Sequence, residues 1–311
     1  MKQVWLDCDP GFDDWLAMLL LAQCPGVQWV GTSVVAGNAP LDITLSNALR
    51  IAALHGWQAP VHAGSSQPLA GTRQTAQAIL GWQGMRSNGL ALPEVQQACT
   101  SHDAVAALLG HLHTSQQPTM LVAIGPLTNI ALAIQQDPAA MRTVTEIVLM
   151  GGSTDRGNHT PSAEFNIYAD PVAAAQVFAS GIPVRMFGLN LCRQLLLTQA
   201  HVQAIYAMPG HAAQIVAGYM DAYQRIRSTD GSAPMPLYDP AVMLWLHSPE
   251  LFDFVAAPVD VELKGEFTYG MTVCDLKNAA GRPCNVDIAM QVCAGDAMAL
   301  FMRLLRQSLN A

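Results

Sequence analysis

Short runs of apolar, largely β-branched residues recur along the chain and alternate with longer stretches whose apolar positions suit helices. Gln3 to Leu6, Val27 to Val35, Thr119 to Ile124, Glu146 to Met150 and Pro183 to Phe187 read as strands, and the segments between them as helices. Runs such as MLVAI, Met120 to Ile124, are apolar at consecutive rather than alternate positions, the pattern of a strand covered on both faces. This predicts an α/β fold with a largely parallel sheet. After Gly188 the pattern is helical through Arg227, and Val259 to Leu263, Met271 to Cys274 and Asn285 to Met290 add late strands before a closing helix. No linker, low-complexity tract or internal repeat interrupts residues 1–311, so a single domain is expected.

Turn residues punctuate the ends of several of these strands: Pro10-Gly11, Gly37, Gly125-Pro126 and Gly151-Gly152. Open α/β sheets bind ligands beyond the carboxyl ends of their strands, so these turns border one expected site. The segment DCDPGFDD adds chemistry to it. Asp7 and Asp9 fall at the end of the first strand, two residues apart and therefore on one side, and Asp13 and Asp14 open the next helix. A helix N-terminus accommodates one such carboxylate as a cap, but not all of them. Like charges a few ångströms apart repel by roughly 1 to 4 kcal/mol per pair, so the cluster calls for a cation. An all-oxygen donor set favours calcium or magnesium over zinc, and calcium better tolerates the irregular shells that loops provide.

Composition narrows the partners. With 51% hydrophobic and 12% charged residues, the chain has ample material for a core, and its net charge of -8 offers no basic footprint for nucleic acid. Apolar stretches such as Trp15 to Ala22 stop well short of the roughly 20 residues of a membrane span. No export signal is visible, and seven cysteines without a CxxC pair suit a reducing cytoplasm, the expected location. Cys8, between two aspartates but with no histidine nearby in sequence, reads as a buried thiol rather than a nucleophile. A small-molecule substrate is the expectation.

LDCDPGFDD resembles the N-terminal signature of the nucleoside hydrolases, the inosine-uridine-preferring type of ribohydrolase. VVAGN ending at Asn38, IGPLTNIALA from Ile124, EIVLMGG around Met150, Gly157-Asn158, AEFNIYADPVAA around Asn166, YDP at Asp239 and YGMTVCD from Tyr269 are similar to that family's further blocks, in order and over almost the whole chain. The resemblance implies a Rossmann-like open, mostly parallel sheet with helices on both faces. It implies a calcium held by Asp9, Asp14, the main-chain carbonyl of Ile124 and Asp239, with a ribose diol and one water completing the shell. Asp9 would then be the general base on that water, and Asp13 would bind a ribose hydroxyl and favour the oxocarbenium-like state. Asn38, Asn158, Glu164, Phe165 and Asn166 would grip the ribose with Met150 packed near it, Asn166 also counting among the catalytic groups. A homodimer or homotetramer is expected on the same ground.

The chain departs from the family at the leaving-group side. Where members acting on purines and pyrimidines carry a histidine before the calcium aspartate, this chain has Tyr238, and the block around Leu80-Gly81-Trp82-Gln83 has Leu80 where a second histidine is expected. Two readings follow: Tyr238 donates a proton or hydrogen bond to the base, or Trp82, Tyr238 and Tyr223 stack on it. The family's GLD segment becomes Gly188-Leu189-Asn190, removing a carboxylate. His55, His62, His102, His111 and His113 read as structural, whereas His159 follows Asn158 into the expected site. Two rival functions remain: a phosphohydrolase using the DxD after the first strand, which the absence of Walker and GxGxxG turns disfavours, and a nucleoside-binding sensor with little turnover.

Overall fold

The computed structural model describes residues 1–309. Among them are twelve strands: β1 Lys2–Cys8, β2 Val27–Val34, β3 Val61–Ala63, β4 Thr119–Ala123, β5 Ile147–Met150, β6 Val184–Phe187, β7 Leu196–Leu197, β8 Met235–Pro236, β9 Phe252–Ala257, β10 Val259–Val261, β11 Thr272–Cys274 and β12 Val286–Val292. Eight form one sheet in the order β3-β2-β1-β4-β5-β6-β12-β9. Every neighbouring pair from β3 to β12 is parallel, and β9 alone runs antiparallel, against β12. The α/β architecture and all eight expected strands are present. The two edge strands, β3 and β9, were not read as strands: β3 has three residues, one of them His62, and the apolar run of β9 is only Phe254–Ala257, bounded by Asp253 and Pro258.

Both faces of the sheet are covered. Val4, Leu6, Cys8, Met120, Val122, Val148 and Met150 contribute to one apolar cluster, and Trp5, Leu121, Ala123, Ile147 and Leu149 to a second. The period of two therefore sends alternate residues of each central strand into opposite cores. Helix Phe12–Leu21, buried along nearly its whole length, packs on the first face against helices Pro240–His247 and Ala294–Leu309. That packing brings a late segment of the chain to the end of β1.

β1 pairs with β2 on one side and β4 on the other, so the chain reverses its direction of sheet growth between β1 and β4. The carboxyl ends flanking such a reversal splay apart and open a crevice. Residues 64–103 contain one helix, Gln77–Leu80, and fold over this crevice. The segment is tied down by Ser65 N–H to Asn129 Oδ1 (2.8 Å), Leu69 N–H to Asp170 Oδ2 (2.7 Å), Asn47 Nδ2 to the Gln83 carbonyl (2.9 Å) and Asn88 N–H to the Gly218 carbonyl (3.0 Å). No helix among the described residues is long and apolar enough to cross a membrane.

Candidate active site

The turn after β1 sets the floor of the crevice. Asp14, in the first turn of helix Phe12–Leu21, folds back to accept the N–H groups of Gly11 (2.9 Å) and Asp9 (3.2 Å) and the Asn38 side-chain amide (3.1 Å). It therefore caps the helix and still presents a carboxylate to the crevice. Asp9 Oδ2 accepts the Asn38 N–H at 2.6 Å, while Asp9 Oδ1 is buried without a partner. Two glycines make room for this carboxylate. A Cβ on Gly37 would lie 2.1 Å from Asp9 Oδ2, and one on Gly125 2.7 Å from Asp9 Oδ1. Gly37→Ala should consequently displace Asp9 and cost about 10²-fold in turnover, by the sensitivity of catalysis to an ångström-scale misplacement, with substrate affinity less affected. Steady-state kinetics with unchanged kcat would show that the close approach is not needed.

Asp239 precedes helix Pro240–His247, whose first residue is proline, and its carboxylate enters the same space. One oxygen each from Asp13, Asp14 and Asp239 lies within 4.8 Å of the others. The early aspartates and Asp239 thus meet, as expected, but Asp13 belongs to this closest set and Asp9 does not. Asp7 leaves the cluster altogether. It points into the sheet, hydrogen-bonded by Ser33 Oγ and by Asn129 Nδ2 (2.9 Å), and is absent from the crevice lining. The carbonyl of Ile124, just past β4, accepts the Asn166 side-chain amide at 3.0 Å, leaving its second lone pair free. An orphaned carboxylate oxygen, clustered like charges and an all-oxygen donor set fit a hard divalent cation at this floor.

Electrostatics agree with that fit. Burial, reinforced by the Asp14 carboxylate, holds Asp9 well above the ordinary carboxyl range. Burial raises Asp13 to about 6, and burial together with Asp13 raises Asp14 to about 7. Asp239 is also held well above its usual range by burial, with Asp13 adding to it. Carboxyls that resist ionisation together are those a cation would most strongly ionise. Burial likewise pushes up the Cys8 and Cys192 thiols, so both are inert, as read for Cys8 from sequence.

Above the floor opens a cleft of about 460 Å³, lined in part by Asp9, Asp13, Asn38, Ile124, Met150, Asn158, Glu164, Phe165, Asn166, Tyr238 and Asp239. Every residue assigned by resemblance to the sugar therefore lines this cleft. Glu164 is buried, not a surface charge. Its carboxylate accepts the N–H groups of Asn166 (2.8 Å), Gly152 (3.0 Å) and Ile167 (3.1 Å), and burial raises it to about 7. Asn166, fixed by that cap, donates to the carbonyls of Ile124 and Met150 (3.1 Å). Asn158 Oδ1 accepts the Phe165 N–H at 3.0 Å.

The other end of the cleft is less as expected. Tyr223 and Tyr238 line it, with Leu80 at its edge, but Trp82 is 77% exposed and absent from the lining. Trp82 is joined to the cleft rim only through its carbonyl, which accepts the Gln77 amide at 2.6 Å. Asn190 is turned away as well, donating to the Ala289 carbonyl at 3.0 Å. His159 does reach the lining, packed against Tyr168 with ring centres 4.5 Å apart and the planes tilted by 41°. Sequence reasoning missed Ile79, Ile226, Met235 and three arginines, Arg156, Arg193 and Arg227, all on the lining. Their clustering was invisible because they come from segments far apart in the chain, and only the proximity of Arg156 to Gly157-Asn158 signalled any of them.

Comparison with known proteins agrees with this geometry. The family model described as inosine-uridine preferring nucleoside hydrolase matches residues 4–299. The chain is 38% identical over 312 residues to the pyrimidine-specific ribonucleoside hydrolase RihA of Shewanella woodyi, covering 99% of this chain and 98% of that one. It is 36% identical over 292 residues to RihB of Escherichia coli O9:H4, also named pyrimidine-specific, covering 94% and 93%. Among solved structures, the purine-preferring ribonucleoside hydrolase from Gardnerella vaginalis superposes with a TM-score of 0.90 at 27% identity, covering 99% of each chain.

Proposed function

Because the chain belongs to the inosine-uridine preferring nucleoside hydrolase family, whose members cleave ribonucleosides, we propose that its cleft hydrolyses the N-glycosidic bond by a calcium-dependent route with Asp9 as general base. The observation that carries this reading is the convergence of Asp13, Asp14 and Asp239 beside a buried Asp9 whose Oδ1 lacks a partner. Asp9, Asp14, Asp239 and the Ile124 carbonyl would hold the cation, and Asp13 stands close enough to share it. When bound, calcium supplies a Lewis acid that fixes a diol and eases ionisation of a neighbouring water.

The side chains account for the remaining work. Asn38, Asn158, Glu164 and Asn166 line the cleft with Met150, so a ribose would be gripped through its hydroxyls with Met150 against its apolar face. Asp9 takes the proton of the attacking water as its oxygen closes on the anomeric carbon. Asp13, on the same floor, favours the positive charge that develops on the sugar. Tyr238 faces the departing base. Pyrimidine ribosides are the first substrates to try, since relatives above 35% identity bear that specificity in their names.

Reducing-sugar release over a nucleoside panel, with and without a calcium chelator, tests the proposal. Ribose release that the chelator stops and calcium restores is expected; riboside binding without ribose release would make the protein a sensor. The resemblance also supports a homodimer or homotetramer, for which equilibrium sedimentation is the check, and the seven free cysteines suit the reducing cytoplasm expected from their number and spacing.

A further inference from the structure

Arg156, Arg193 and Arg227 line the cleft, three of only fifteen lysines and arginines in a chain of net charge -8. Arg193 is built in: Nη1 pairs with Asp155 at 2.7 Å, and Nη2 donates to the carbonyls of Arg156 (2.7 Å) and Gly157 (3.1 Å). Arg227 is different. It follows helix His211–Gln224, donates through Nη1 to the Pro234 carbonyl at 3.2 Å, and makes no ion pair among the described residues. The carbonyl bond sets it on the same wall as Tyr223, Ile226, Met235, Pro236 and Tyr238.

That wall lacks a good acid. Its ionisable groups besides Arg227 are the phenols of Tyr223 and Tyr238, and Arg193 shares the cleft lining with them. Such a hydroxyl donates a hydrogen bond but gives up its proton reluctantly. A guanidinium likewise keeps its proton while offering several donors in a plane. Resting on the reading of the cleft as a riboside-cleaving site, we propose that Arg227, assisted by Arg193 and Tyr238, receives the departing base as its anion, so that ribosides of acidic oxo bases such as uracil are cleaved better than those of amino bases such as cytosine.

The bookkeeping of the step is complete. The C1′–N bond breaks with its electron pair on the base nitrogen, the water oxygen bonds to C1′, and the water proton goes to Asp9. In uracil the negative charge spreads from the ring nitrogen onto the carbonyl oxygens, which a guanidinium can engage with two parallel donors. Cytosine has one carbonyl fewer and forms a less stable anion. After release the base anion takes a proton from solvent, and Asp9 returns its own.

The experiment compares kcat and KM of the native enzyme, Arg227→Gln and Arg227→Ala on uridine, cytidine and 4-nitrophenyl β-ribofuranoside, whose leaving group is already a stable anion. Arg227 is exposed, so its variants should fold. Arg227→Gln should lower kcat on uridine about 10- to 100-fold, near the lower range for loss of a charge-stabilising donor, yet change kcat on the nitrophenyl substrate by less than about threefold. Millimolar guanidinium should restore part of the uridine activity of Arg227→Ala, and the native enzyme should prefer uridine to cytidine. Equal losses on uridine and the nitrophenyl substrate, or a rise in KM alone, would overturn the inference and leave the arginines as balance for the acidic floor. If native protein cleaves neither natural nor nitrophenyl ribosides, the hydrolase reading itself fails; if it cleaves both and Arg227→Gln matches it on uridine, only the leaving-group role fails.

Discussion

Asp9→Asn should reduce ribose release about 10²- to 10⁴-fold, the usual worth of a positioned general base, while the protein stays folded. The substitution is nearly isosteric, and the amide oxygen can still accept the Asn38 N–H that now reaches Asp9 Oδ2 at 2.6 Å. What disappears is a basic atom at Oδ1, the buried position with no partner in the protein. Because Asp9 resists ionisation in its buried setting, a neutral amide costs the fold little, and the thermal midpoint of the cation-free variant should match or exceed that of the native protein. The result that counts is the conjunction of a lost kcat with a retained fold and retained riboside binding. Turnover within threefold of native would mean that another group takes the water proton, with Asp13 an alternative on the same floor.

The central strands were legible because burial on both faces writes itself into sequence as consecutive apolar residues. Helix Phe12–Leu21 announced itself through DCDPGFDD, whose proline and glycine end one element as its aspartates begin the next. The edges were not legible. β3 is short, and the apolar run of β9 is four residues caught between Asp253 and Pro258, so neither stands out. The carboxylate floor was half legible. Spacing alone grouped Asp7 with Asp9, but Asp7 lies within the strand, where Ser33 and Asn129 both donate to its Oδ2, and Asp9 lies beyond its end. Asp239 could be joined to the early aspartates only by resemblance, since the contact depends on how helix Pro240–His247 packs against helix Phe12–Leu21. Trp82 shows the reverse limit: an aromatic at the right place in the chain sits 77% exposed at the rim because Gly81 and Gly84, both with positive φ, turn the segment outward around it.

Cation binding and pH should be linked strongly enough to read by thermal unfolding. In the cation-free protein burial raises Asp13 to about 6 and Asp14 to about 7 and holds Asp9 and Asp239 well above the ordinary carboxyl range, against about 3.9 for an unfolded aspartate. The folded state then binds more protons than the unfolded one above pH 4, so its stability is fully present below that value and is lost as pH rises toward 7 and beyond. At about 1.36 kcal/mol for each unit of displacement, the set should cost the chelated protein several kcal/mol by pH 8 relative to pH 5. Calcium removes most of that slope by displacing those protons, so its apparent affinity should tighten with rising pH, and at 100 times its dissociation constant it should add about 2.7 kcal/mol. A residual downward slope should survive saturation, because Asp7 and Glu164 are raised to about 7 by burial and Asp7 lies off the cleft. Asp7→Asn should therefore flatten the slope without changing calcium affinity, whereas Asp239→Asn should weaken calcium binding at every pH. A chelated protein that melts at the same temperature at pH 5 and pH 8, and that ignores added calcium, would mean that the floor carries no cation and that its carboxyls are stabilised by contacts within the protein alone.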